Sequence, residues 1–136
     1  MTIQKYIEHI LNYFISKFYL ENNNAQALVF ENVKEAFKGV ILSANEGKLA
    51  PSKKHFSHFI LLLKENVMVL NTAADRRLLR SLIAFTFMVR RDANKQKSYS
   101  NVFNLNIDEL KYHTEFSKAK LISDDKKVTL SYPRKK

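Results

Sequence analysis

The sequence predicts a mainly α fold, a bundle of about four to five helices with a small C-terminal β-hairpin, in one domain over residues 1–136. Three observations lead there. Apolar residues recur at spacings of three and four along most of the chain, the period of a helix with one buried face. Gly and Pro number only two each, too few for the many turns of an all-β domain. Hydrophobic residues make up 46% of the chain and include ten Phe and six Tyr, enough apolar material for a core and against global disorder.

Over 2–21, Ile3, Ile7, Ile10, Leu11, Phe14 and Phe18 form one stripe, flanked by Tyr6, Tyr13 and Tyr19. Asn22-Asn23-Asn24 ends this helix, because Asn favours turns and caps over helix interiors. A second helix is expected over 25–44, capped by Asn24, with Leu28 or Val29, then Val33, Phe37, Val40, Ile41 and Ala44 as its buried stripe. A loop through Gly47 and Pro51 leads to a third helix over 52–70, capped by Ser52. Its face is Phe56, Phe59, Ile60, Leu63, Val67 and Leu70. Leu61, Leu62, Met68 and Val69 widen that face, so much of the helix is expected to be covered.

Asn71-Thr72 is a very short connection, and Thr72-x-x-Asp75 resembles a capping box opening a helix over 73–91. A turn this tight implies an antiparallel helical hairpin or a helix-turn-helix. The stretch 82–89 is apolar nearly all round, which marks this helix as central in the bundle. Polar residues over 92–106 read as an open loop. Asn106-x-x-Glu109 then opens a short helix, 107–118. Leu121-Ile122 and Val128-Thr129-Leu130 flank a turn and read as the hairpin, 119–132, before the basic end Pro133-Arg134-Lys135-Lys136.

The domain thus divides into neutral helices 2–44, a basic helical hairpin 52–91, a loop 92–106 and a helix-plus-hairpin segment 107–132. Net charge is +10, unevenly spread. Residues 1–50 hold five Lys and five Glu, whereas residues 51–100 hold ten Lys and Arg against three Asp and Glu. Segregated positive charge is expected when one part of a fold packs or dimerises and another meets phosphate. The competing reading is a compositional skew, since Lys and Asn are common throughout.

The chain contains no Cys, which excludes a disulfide framework and a thiolate metal site. The first twenty residues are broken by charged and polar side chains at helical spacing, so neither a signal peptide nor a membrane span is expected, and a cytoplasmic protein is. His55 and His58 are spaced i, i+3, but a zinc site needs a third ligand, and Lys53 and Lys54 beside them repel a dication. No metal and no cofactor are expected. No P-loop, G-x-S-x-G or Gly-rich phosphate cradle is present, and Asp124-Asp125 reads as a solvated turn, so no enzyme is expected.

The remaining signal is basic. Lys53 and Lys54 open one helix, and Arg76, Arg77 and Arg80 open the next. Arg90 and Arg91 lead into Lys95 and Lys97. Lys126 and Lys127, at the end of the expected turn Ser123-Asp124-Asp125-Lys126, form a fourth group with Arg134, Lys135 and Lys136. Arg donates two parallel hydrogen bonds to phosphate, and a helix start adds free N–H groups and a positive dipole end. Tyr99 and Phe103, placed in an open loop, would stack on unpaired bases. The expectation is a small basic protein that binds DNA or RNA through these clusters, in a regulatory capacity. The alternative is a helical interaction module, a subunit or an inhibitor of an acidic surface, homodimeric or in a larger assembly, with Tyr6, Tyr13 and Tyr19 as anchors. A winged helix fits less well, because the apolar helix 73–91 leaves no bare face for a major groove. Membrane-surface binding fits poorly, because helix 2–21 is close to neutral.

Overall fold

The computed structural model describes residues 1–107 throughout and, beyond them, the backbone of 120–123 and 128–131. Four long helices run α1 (Ile3–Leu20), α2 (Asn24–Asn45), α3 (Leu49–Val67) and α4 (Ala73–Gln96), followed by a short α5 (Tyr99–Phe103). The turns between them are too tight to carry the chain across the molecule, so successive helices run antiparallel, with α1 against α2, α2 against α3 and α3 against α4. α1 closes the ring on α4: Tyr6 meets Phe85 edge-on at 5.2 Å, and Tyr13 and Lys17 meet Asp75. The helical bundle expected from the periodicity is the fold.

Local chemistry sets each boundary. Thr2 caps α1, its Oγ1 accepting from the Lys5 N–H at 3.2 Å. Asn22 takes a left-handed conformation, φ 58°, which Asn tolerates better than most residues. Asn23 caps α2 by accepting from the Gln26 N–H, one residue before the expected Asn24. α3 begins at Leu49, three residues ahead of the expected start. Pro51 fits its first turn, where a missing N–H costs nothing. Ser52 therefore caps nothing: it is buried inside the helix and its hydroxyl donates to the Lys48 carbonyl at 2.6 Å. Thr72 caps α4 as expected, accepting from the Asp75 N–H at 3.2 Å.

The expected loop 92–106 is mostly helix. α4 runs on to Gln96 and stops where Lys97 turns left-handed, φ 53°, while the Ser98 N–H reaches back to the Ala93 carbonyl at 3.0 Å. Ser98 then caps α5. Tyr99, Val102 and Phe103 at i, i+3 and i+4 are all buried, so α5 is a wedge closing the bundle end. Its rings join an aromatic cluster in which Phe103 packs edge-on against Phe37 at 5.6 Å and Phe56 at 5.7 Å. At the opposite end Phe14 stacks on Phe30 at 4.7 Å. After α5, the Ile3 N–H donates to the Leu105 carbonyl and the Ile107 N–H to the Met1 carbonyl, each at 3.0 Å, pinning the N-terminus.

Several side chains expected inside lie outside. Leu28, Val29, Leu61, Met68 and Val69 are exposed, and Ala27 and Phe30 supply the buried start of the α2 stripe instead. Rotation about the helix axis decides which apolar residues meet the core, and an apolar run cannot report that rotation. Beyond Ile107, β1 (Lys120–Ser123) runs antiparallel to β2 (Val128–Ser131), with Lys120 opposite Ser131, and β2 lies beside α4. Residues 108–118 of the expected helix 107–118 and the connection 124–127 lie outside the described residues, so the complete hairpin is not shown.

Candidate functional site

The outer face of α4 is basic. At 100° per residue, Arg80, Phe87, Arg91, Asn94 and Lys95 fall within a sector of about 100°, and Arg80 to Lys95 spans about 22 Å of helix. Arg80, Arg91, Asn94 and Lys95 are exposed and Phe87 is half-buried. Arg77, also exposed, stands at the edge of the same sector, one turn before Arg80.

α3 adds a second basic row. Lys64 Nζ lies 4.7 Å from the centre of the Phe87 ring, and the Arg90 guanidinium lies 4.9 Å from the same ring. Arg90 also donates from Nη1 to the Ser57 hydroxyl at 3.4 Å. Each cation–π contact contributes roughly 0.5–1 kcal/mol at an exposed site, which offsets the mutual repulsion of two cations held close together. Phe87 is thus the pivot that gathers positive charge from two helices. Lys53 shares the flank of Ser57 and Lys64 by its helical spacing, and Lys54 turns further outward; both are exposed. A shallow, open depression of about 600 Å³ runs along α4, lined by Phe87, Met88, Arg90, Arg91, Asn94 and Lys95.

Charge neutralisation is slight here. Among the described residues, Lys53, Lys54, Lys64, Arg77, Arg80, Arg90 and Lys95 have no carboxylate within ion-pair distance, whereas Lys17, Lys38 and Lys48 do. Glu35 on α2 and Glu46 at its C-terminal cap are exposed and pair with Lys38 and Lys48.

Other expected site residues do not join this surface. Arg76 is half-buried and its Nη1 donates to the Leu70 carbonyl at 2.7 Å, closing the α3–α4 turn. The expected trio Arg76, Arg77 and Arg80 is therefore a pair, with the third arginine spent on structure. The α4 start offers no anion site either. Its first turn carries the Asp75 carboxylate, which is buried, ion-paired with Lys17 and within reach of the Tyr13 hydroxyl at 3.5 Å. Lys97 forms the left-handed end of α4, away from Arg80. Lys126 and Lys127 lie outside the described residues.

Tyr99 is a correction. It is only 2% exposed, and Phe103 1%, so neither ring is available to stack on a base. Both are core residues because the segment is a wedge and not a loop. Burial raises the Tyr99 hydroxyl from 10.0 to about 12, with the charge of Arg90 acting in the opposite direction. A raised phenol keeps its proton in the native state after the unfolded chain has lost it. The stability it confers is complete below pH 10 and is lost as pH climbs from 10 towards 12. Tyr99→Phe should therefore flatten the alkaline fall in melting temperature without abolishing it, since Tyr13 and Lys17 are raised too. A pH series of thermal melts with the two proteins side by side checks this.

Lys64, Ser57 and Phe87 do not stand out in the sequence. Lys64 is alone in an apolar run, and Phe87 lies in the stretch that reads as wholly buried. The available signal is the spacing 53, 57, 64, which keeps Lys53, Ser57 and Lys64 on one flank. His55 and His58 are exposed on α3, and among the described residues no group of three or more His, Asp or Glu side chains could hold a metal ion. No described helix is long and apolar enough to cross a membrane. No known protein family matches the chain, and no characterised protein or solved structure is similar to it.

Proposed function

We propose that this chain is a small nucleic-acid-binding protein that grips phosphates with the outer face of α4 and the adjoining flank of α3. The observation that carries this reading is the shared surface around Phe87, where Lys64 and Arg90 meet over one ring and Arg80, Arg91 and Lys95 continue along α4. Among the described residues, Lys64, Arg80, Arg90 and Lys95 have no carboxylate partner, so a phosphate backbone would neutralise charge left open there. The arginines would supply paired hydrogen bonds to phosphate oxygens, and the lysines point charges. The face is crowded with long basic side chains around a half-buried aromatic, which suits backbone contact more than insertion into a groove.

The complete C-terminal hairpin belongs to the same proposal. Lys126 and Lys127 are part of it as further phosphate contacts. A regulatory role and a cytoplasmic setting accompany this reading, since that is where a basic, cysteine-free nucleic-acid binder meets its target.

Fluorescence anisotropy with labelled duplex DNA, single-stranded DNA and RNA, repeated across a salt series, is the test. The logarithm of the association constant should fall linearly with the logarithm of salt, by about 0.9 per phosphate on duplex DNA. The three probes rank the targets. Absence of binding to all three at low salt, or affinity indifferent to salt, would remove the proposal. The alternative of a helical interaction module is favoured by one separate feature, a set of exposed aliphatic side chains at one end of the bundle.

A further inference from the structure

We propose that the depression along α4 is a base-contact site, so that the nucleic acid gripped there is a single strand with unpaired bases and not a duplex. This deepens the phosphate-binding reading above and rests on it. The depression, about 600 Å³ in volume, combines two chemistries. Phe87 and Met88, both half-buried, bring apolar surface to it, and Arg90, Arg91, Asn94 and Lys95 supply a polar rim with three positive charges. Its size falls within the roughly 300–1,000 Å³ of sites that take small ligands, and its open shape suits one unit of a long strand.

Phosphate alone does not account for this combination. A phosphate oxygen seated on Phe87 or Met88 would lose water and gain no hydrogen bond in return. A nucleobase fits both halves, because its faces are flat and apolar and its edges are polar. In a duplex those faces are stacked on neighbouring pairs, and the grooves present only edges. An unpaired base can turn a face onto an aromatic side chain or a guanidinium plane, whatever its identity. Arg90 is held in place for this before any ligand arrives. Its guanidinium lies 4.9 Å from the centre of the Phe87 ring, and its Nη1 donates to the Ser57 hydroxyl at 3.4 Å. A side chain fixed at two points loses little freedom on binding. Asn94, exposed one turn beyond Arg90, brings an amide with both donor and acceptor to meet a base edge. Arg80 stands about 10 Å before Phe87 along the helix axis and Lys95 about 12 Å beyond it, so a strand following α4 would set phosphates on either side of the base.

Removing the bases while keeping the phosphates separates this inference from the reading beneath it. Fluorescence anisotropy on the full chain, at one salt concentration, compares three probes of about 12 nucleotides: single-stranded DNA, the same strand made abasic, and the duplex. The wild-type protein should bind the abasic strand through its phosphates and the intact strand about tenfold more tightly, with the duplex weaker than the intact strand. Phe87→Leu with Met88→Ser, its helical circular-dichroism spectrum unchanged, should bring the intact strand close to the abasic level and leave abasic affinity within about twofold, since phosphate contacts need no base. Equal affinity of the wild-type protein for intact and abasic strands overturns the base-contact site and leaves the phosphate grip standing. A duplex bound at least as tightly as the intact strand also overturns it, as does a double variant that loses both strands alike. Absence of binding to all three probes removes the phosphate grip and this inference together.

Discussion

Removing Arg80, Arg91 and Lys95 together as alanines should lower affinity for nucleic acid about a hundredfold at low salt and make the salt dependence shallower by about one unit for each phosphate the protein no longer neutralises. All three side chains are exposed on one face of α4, so the bundle should survive their truncation. The effect should be much the same across sequences, because phosphate contacts position a protein and do not read bases. Lowered net charge alone would also weaken binding, and a control separates the two causes. Lys5→Ala, Lys34→Ala and Lys38→Ala remove the same charge from α1 and α2, away from the α4 face. If that variant loses as much affinity as the first, the protein binds by bulk charge and the proposed surface is wrong.

The second large effect concerns stability. Lys17→Met should destabilise the fold by about 3 kcal/mol, because it strands the Asp75 carboxylate in a site where only 5% of that side chain is exposed. Its remaining side-chain partner, the Tyr13 hydroxyl at 3.5 Å, is distant for a hydrogen bond. The Lys17 side chain is 23% exposed, which places the effect at the lower end of the range for breaking a buried pair. Asp75→Asn should cost less, since the lysine can turn its ammonium to water and the amide still fills the site. Lys17→Met combined with Asp75→Leu should recover much of the stability, because a buried pair replaced by apolar groups of similar volume is often neutral. Urea denaturation of the four proteins gives the comparison directly. A single Lys17→Met cost below that of Asp75→Asn would mean that the carboxylate is not the stranded partner.

Asp75 also illustrates what a linear reading reaches. Thr72-x-x-Asp75 announces a helix start, and Thr72 does cap α4 through the Asp75 N–H. The second role of Asp75, as anchor for Lys17 on α1, involves a residue 58 positions away, and no local pattern encodes it. Arg76 is similar: next to Arg77 it looks like half of a phosphate claw, yet it reaches back six residues to the Leu70 carbonyl. The segment 92–106 reads as a loop for another reason. Asn94, Lys95 and Gln96 are poor in apolar content but are exposed in the last turn of α4, where polar residues cost a helix little. The spacing of Tyr99, Val102 and Phe103, behind the Ser98 cap, is the local sign of α5 within that polar stretch.

The number and approximate limits of the long helices, the Thr72 cap and the segregation of positive charge follow from the sequence alone, because each depends on neighbours within a turn or two or on composition. Which apolar residues are buried, which arginines are free for a ligand, and the meeting of Lys64, Phe87 and Arg90 were decided only when the helices packed. A side chain's partners across a bundle depend on the rotation and register of two helices at once, and those are set by the whole core.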